Sequence, residues 1–322
     1  MQIEIIHGDA LEFVCDVLVL KHAQALYGVD SLVVHHLETA GSSIRDKLPK
    51  PYGFEIFLTR QALGAARVLF VGVPELRQFD YEAIRIFARR ALMALAEALP
   101  ATKHLAITLH GPGYGLDETE AFKAEIAGLL DATTLPLSLE TITFVEHNEG
   151  RARRLADQLF ALGFRTAPTP TDIEGQTSKS HIDVEALESA GALSKNKAHV
   201  FVAMPFASEF DDRFHYGIQR AVHASGRLCE RADLASFTGD VVTWVKDRIA
   251  SASLVVADLT TASPNVYLEV GYAWGRGVPT VLIANESSDL RFDVRSQRCL
   301  IYKGSIKRLE ELLTTELQAL IA

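Results

Sequence analysis

Residues 253–285 read SLVVADLTTASPNVYLEVGYAWGRGVPTVLIAN. SLVVAD (253–258) is a short apolar run that ends in a carboxylate, and TVLIAN (280–285) is another that ends in an amide. Between them Ser263-Pro264 reads as a helix start, with Ser at the N-cap and Pro at the first helical position. NVYLEVGYAWG continues that helix to about residue 274. Two strands joined through a helix cannot form a hairpin, so they pair in parallel with the helix on one face of the sheet.

The same grammar extends in both directions. HVFVAM (199–204) and LCERAD (228–233) read as strands, followed by helices at 209–225 and 239–252. CLIYKG (299–304) is a further strand, and 305–321 a terminal helix. Residues 198–322 therefore predict a doubly wound parallel sheet with flavodoxin-like strand order. Upstream, strand-like runs at 2–6, 16–20, 67–73, 104–109 and 141–145 alternate with helical patterns at 80–99, 118–130 and 150–162. These predict a second α/β domain over residues 1–165. The polar run TAPTPTDIEGQTSKSH (166–181) shows no period, and residues 166–197 read as an interdomain linker carrying one short helix at 184–193.

Composition narrows the function classes. The chain has 322 residues, 48% of them hydrophobic, and a formal net charge of −9. That balance opposes general nucleic-acid binding, which needs a basic face. It leaves small anionic nucleotides open, because backbone donors can hold a phosphate on an acidic protein. Cys15, Cys229 and Cys299 are too scattered for a disulfide framework or a zinc site and are expected as buried, inert thiols. No metal or cofactor is expected. The N-terminal MQIEIIHGD has no signal-peptide pattern and no window is long enough to span a membrane, so a cytoplasmic location is expected.

In an open parallel sheet, ligands bind beyond the carboxyl ends of the strands. In the C-terminal half those ends carry Met204, Pro205 and Phe206, then Arg231 and Asp233, then Asp258, then Asn285. Asp258 also fits a turn-organising role, and Asp233 a solvated loop carboxylate. Glu269 is the one carboxylate on the 264–274 helix, which is apolar nearly all round and is expected to be largely buried. A carboxylate in that setting is either paired, with Arg231 or Arg291 as partners, or lines a cleft with a raised pKa. Asn265, four residues before it, and Tyr272, three after, fall on the same helix face.

The run VFVAMPF…RAD…SLVVADLTTASPNVYLEVGYAWGRGVPTVLI resembles the nucleoside 2-deoxyribosyltransferase-like group, which is akin to bacterial TIR domains. The resemblance implies that Glu269 acts at the anomeric carbon of a ribosyl nucleoside or nucleotide, as nucleophile or oxocarbenium stabiliser. Asp258 and Asn265 would then neighbour the ribose or base, with Met204, Pro205 and Phe206 as a pocket wall. Cleaving an N-glycosidic bond builds positive charge on the sugar, which a preorganised carboxylate stabilises. A cationic nicotinamide leaves without a strong acid, whereas a neutral base calls for a proton donor such as Asp233. The chain lacks the Asp-rich spacing that precedes the glutamate in the true transferases, which favours hydrolysis or sensing over deoxyribosyl transfer.

In the N-terminal half, IEIIHGDALEFVCDVLVL and HLAITLHGPGYGLD resemble macro-type domains. The resemblance implies a macro-like α/β/α fold in which Asp9 contacts an adenine or ribose and Gly111, Gly113 and Gly115 approach a diphosphate. The plain alternative is that GPGYG is a tight turn. Lys21-His22 stands where that family carries an asparagine pair, which speaks against ADP-ribose hydrolysis. His7 and His110 are expected as ordinary hydrogen-bonded residues rather than a metal pair. Joined, the halves predict a homo-oligomeric sensor–effector of bacterial stress or antiviral defence, with NAD or another small nucleotide as substrate or ligand. The rivals are a non-catalytic nucleotide sensor and a salvage nucleoside hydrolase or transferase.

Overall fold

The computed structural model describes residues 1–164, 182–205, 207–231 and 241–321. Two units form, one of Met1–Gly111 with Glu118–Ser194, the other of Pro112–Asp117 with Lys195–Ala322.

The first unit is built on a six-stranded sheet ordered β1-β6-β5-β2-β4-β3. Its strands are β1 (Gln2–His7), β2 (Val17–His22), β3 (Phe54–Leu58), β4 (Arg67–Gly72), β5 (His104–Ile107) and β6 (Thr141–Glu146). All neighbours pair in parallel except β3, which runs antiparallel to β4 at one edge. The helices are α1 (Gly28–Thr39), α2 (Tyr81–Ala98), α3 (Glu118–Leu130), α4 (Glu149–Ala161) and α5 (Val184–Ser189). Central β2 is VLVLKH with five of six residues buried, as a strand covered on both faces requires. Its pleat sends Leu18 and Leu20 into one cluster with Val68, Phe70 and the α1 residues Val33, Val34 and Leu37. Helices α2 and α3 meet at Gly128, where an added Cβ would lie 2.1 Å from the Arg85 carbonyl oxygen.

The second unit carries a five-stranded sheet ordered β11-β10-β9-β7-β8, parallel throughout. Its strands are β7 (His199–Ala203), β8 (Leu228–Glu230), β9 (Leu254–Asp258), β10 (Thr280–Ala284) and β11 (Cys299–Ile301). Counted within the unit, that is the flavodoxin-like order 2-1-3-4-5. Val200 and Val202 of β7 face a cluster with Ile218, Leu309 and Leu313, while Phe201 and Ala203 face one with Ile249, Val266 and Val270. Four helices supply these clusters: α6 (Gln219–Ala224), continuing a π-helical stretch Arg213–Ile218, α7 (Val241–Ser251), α8 (Pro264–Gly275) and α9 (Ile306–Ile321).

Several expectations change. Helix α1 and strand β3 have no counterpart in the sequence reading. The strand expected at 104–109 stops at Ile107, the helix expected at 184–193 stops at Ser189, and the helix expected from 209 is broken into a 3-10 turn and the π-helical stretch before α6. Cys15 and Cys229 are buried, whereas Cys299 is only half-buried. Helix α8 is not largely buried: only Val266, Val270 and Ala273 are, and Leu268 is 68% exposed. Helix α8 packs against α7 and against β7, β9 and β10 through Val266, Val270 and Ala273, leaving much of its surface to solvent.

Candidate functional site

Strand β9 delivers Asp258, fully buried, to the carboxyl end of the second sheet. Thr260 caps it through its backbone N–H at 3.0 Å and through its hydroxyl, and Arg213 Nη1 pairs with the other carboxylate oxygen at 2.9 Å. Because the Thr260 hydroxyl gives its one proton to Asp258, its oxygen accepts from the Asn285 N–H at 3.1 Å and from the Tyr302 hydroxyl at 2.8 Å. The Arg213 guanidinium lies over the rings of Phe210 and Tyr302, 4.7 and 5.3 Å from their centroids. Burial, then the Asp258 charge, push the Tyr302 hydroxyl up to about 12. The strand ends of β9 and β10 are thereby tied through Thr260 into one fixed acceptor network. The Asn285 Oδ1 atom is enclosed without a hydrogen-bond partner among the described residues.

At the end of β7, buried Met204 receives Arg231 Nη1 at 3.8 Å from its sulfur. Arg231 also covers the Phe214 ring at 4.0 Å and approaches Asp211 at 3.5 Å. Pro205 follows, half-buried. Phe206 and Asp233 lie outside the described residues.

Helix α8 starts as the sequence implies, with Ser263 at the N-cap and Pro264 next, but the Ser263 side chain makes no capping bond. Glu269, the sixth residue of the helix, is half-buried, and among the described residues it has neither a hydrogen bond nor an ion pair. Desolvation by burial pushes its carboxyl up to about 7. The arginines offered as structural partners do not reach it, so of the two settings open to this residue the structure has the unpaired one. Asn265 and Tyr272 share its helix face; Asn265 is exposed, and Tyr272 is half-buried with Lys246 Nζ 5.8 Å from its ring centroid.

An open cavity of about 850 Å3 begins at the first turn of α8, bounded by residues 260–262, Pro264, Tyr267 and residues 288–293 with Arg295. The Tyr267 hydroxyl accepts from the Arg291 N–H at 3.2 Å. None of the site residues singled out from sequence lines it. Three residues that organise the strand ends, Arg213, Thr260 and Tyr302, escaped the sequence reading. Thr260 had a readable signal, being two residues after a strand-end aspartate, where side chain and backbone close a turn. Arg213 and Tyr302 had none, because each arrives from a distant segment.

In the first unit, Asp9 is exposed and closes a turn, its Oδ1 accepting from the Leu11 N–H at 2.8 Å. Gly111 has φ +110° and Gly115 φ +91°, while Gly113 has open space around its Cα. Gly113 and Gly115 belong with the second unit, where the Gly115 carbonyl accepts from the Arg231 N–H at 3.2 Å. Lys21 is buried and pairs with buried Asp30 at 2.5 Å, and His22 Nδ1 lies 2.9 Å from the Pro49 carbonyl. His110 Nδ1 meets Glu125 at 3.0 Å, and His7 Nε2 meets the His147 carbonyl at 3.1 Å, so the two histidines serve different partners. Burial drives the His110 pKa well down and that of Glu125 well up.

The chain matches no protein-family model and no curated protein. Among solved structures, a point mutant of the Oceanobacillus iheyensis macrodomain with ADPR is 17% identical, covering 50% of this chain and 92% of its own at a TM-score of 0.40. The Trypanosoma brucei macrodomain in complex with ADP is 15% identical, covering 49% and 69% at 0.38. A mutant tomato leucine aminopeptidase is 10% identical, covering 98% and 89% at 0.35. At these scores the likenesses assign neither ligand nor activity to this chain.

Proposed function

We propose that the second unit cleaves the N-glycosidic bond of NAD or a related nucleotide or nucleoside, with Glu269 as the group that meets the anomeric carbon. One observation carries this reading: Glu269 is a half-buried carboxylate without a partner among the described residues, on a helix whose first turn borders a ligand-sized cavity. A structural carboxylate would have been neutralised by a neighbouring cation; this one is left free to meet positive charge that develops on a substrate. In the step itself the C1′–N bond breaks with its electron pair leaving on the base. Water then adds its oxygen to C1′ and releases a proton to the carboxylate or to solvent.

Asp258 is held by Arg213 and Thr260, so it orients rather than donates a proton. A neutral leaving base needs a proton donor, for which Asp233 is the candidate, whereas a leaving group that is already cationic, as nicotinamide is in NAD, needs none. The first unit is proposed as a nucleotide sensor coupled to this activity, in a homo-oligomeric stress or antiviral effector. The non-catalytic reading draws on the same Asp258 network, since a fixed acceptor serves binding as well as turnover.

The deciding experiment is chromatographic product analysis of NAD and a nucleoside panel. Wild type and Glu269→Gln are incubated alone and with ADP-ribose-type activators. Free base released by wild type and not by the variant supports the proposal. Intact substrates throughout, alongside measurable nucleotide binding, move the function to sensing.

A further inference from the structure

A second cavity, of about 300 Å3, lies in the first unit at the carboxyl end of β4, and neither Asp9 nor Gly111 lines it. One face is the α2 stripe Ala83, Ile86, Phe87 and Arg90, at the i, i+3, i+4, i+7 spacing that shares a helix side. Val73 and Pro74 close the floor, and Tyr52 stands at the rim.

Tyr52 is placed there under constraint. Its φ is +67°, a left-handed conformation that strains a non-glycine residue. The Tyr52 N–H donates to the Gly72 carbonyl at 2.8 Å, and the Gly72 N–H donates to the Gly53 carbonyl at 2.9 Å. The turn lies so close that a Cβ on Gly72 would sit 1.9 Å from the Lys50 carbonyl oxygen. Strained aromatic residues clamped beside a cavity are a mark of binding sites.

The Arg90 guanidinium is half-buried and, among the described residues, has no hydrogen bond or ion pair; it lies 5.8 Å from the Tyr52 ring centroid. A partly desolvated guanidinium has five N–H donors to satisfy, and its planar fork matches an edge that presents two acceptors. The carboxylates of Asp80 and Glu82 also line the cavity and oppose a phosphate or an acid. The volume admits one ring system with at most a pentose.

We infer that this cavity binds a neutral planar heteroaromatic, a free nucleobase or its nucleoside, with the ring on the apolar floor beside Tyr52 and an acceptor edge on Arg90. A 6-oxopurine edge, carbonyl beside ring nitrogen, suits the fork best. The site is separate from Glu269, so this inference and the proposed activity fail independently.

The test is isothermal titration of the full chain with guanosine, inosine, adenosine, uridine and GMP, repeated for Arg90→Met and Tyr52→Ala. Saturable binding of guanosine or inosine is expected, at least tenfold weaker in Arg90→Met and several-fold weaker in Tyr52→Ala. GMP is expected to bind more weakly than guanosine. Ala83→Met fills the cavity from the helix side and should abolish binding while thermal melting shows the fold intact. Absence of binding to any nucleoside at millimolar concentration, or undiminished binding by both Arg90→Met and Ala83→Met, overturns the assignment.

Discussion

Glu269 ties the chemistry to measurable pH behaviour. A carboxyl with a pKa of about 7 is mostly protonated below neutrality and mostly ionised above it, and both nucleophilic attack and oxocarbenium stabilisation need the anion. For wild type, kcat/KM should therefore rise with pH through about 7 and level off above it. Glu269→Gln should lower kcat/KM by a factor on the order of 100–1,000, as loss of one preorganised electrostatic group does, and should abolish the pH step. The same raised pKa carries a stability cost of known sign. A folded-state pKa above the unfolded value contributes stability below the unfolded pKa of about 4.5, and that contribution disappears as pH rises through about 7. Glu269→Gln removes the penalty of holding an ionised, desolvated group. It is expected to stabilise the protein at pH 8 by on the order of 1–2 kcal/mol after solvent screening and to be neutral at pH 5. Thermal melting at the two pH values reads this directly; equal melting shifts at both would show that Glu269 titrates as an ordinary exposed carboxylate.

At the scale of elements, two contacts hold the architecture. Helices α2 and α3 approach so closely at Gly128 that Gly128→Ala must push them apart. Overpacking of this kind costs about 3 kcal/mol, checked as a lowered midpoint in urea unfolding. The ends of β9 and β10 are joined through Asp258, Thr260 and Asn285, with Arg213 supplying the counter-charge. Asp258→Ala strands Arg213 over two aromatic rings without its anion and should cost about 3 kcal/mol. Asp258→Asn fills the same space and keeps one acceptor oxygen for Thr260, but it turns an amide N–H toward Arg213; it should cost less than alanine, a ranking that thermal denaturation can establish. The π-helical stretch Arg213–Ile218 gives the sequence no periodic signature, because its side chains leave the 3.6-residue stripe that a helical pattern exposes.

For the whole molecule, stability should respond to ligand by mass action. A nucleotide that binds the folded chain at a hundred times its dissociation constant stabilises it by about 2.7 kcal/mol. NAD should raise the melting temperature of Glu269→Gln, which holds substrate without consuming it. The absence of any shift with NAD or ADP-ribose across a millimolar range would count against nucleotide recognition in either unit.

What the sequence determined by itself was the βαβ alternation and the parallel second sheet. Apolar strand runs such as LVVAD and the Ser-Pro helix start are local signals that hold wherever the chain goes. Glu269 was legible for the same reason, as one carboxylate among apolar helix neighbours. Tertiary structure alone decided the rest. It placed β3, whose FEIFL lies at an edge and needs only one partner, so its burial pattern is weak. It exposed Leu268 on α8, since a helix packed along one side cannot bury every apolar residue it carries. It brought Arg213 to Asp258 across 45 positions of sequence, and it assembled both cavities from segments that no short-range pattern relates. A periodic pattern records which side of an element faces a core, whereas an ion pair or a pocket depends on the distance between elements, which only folding sets.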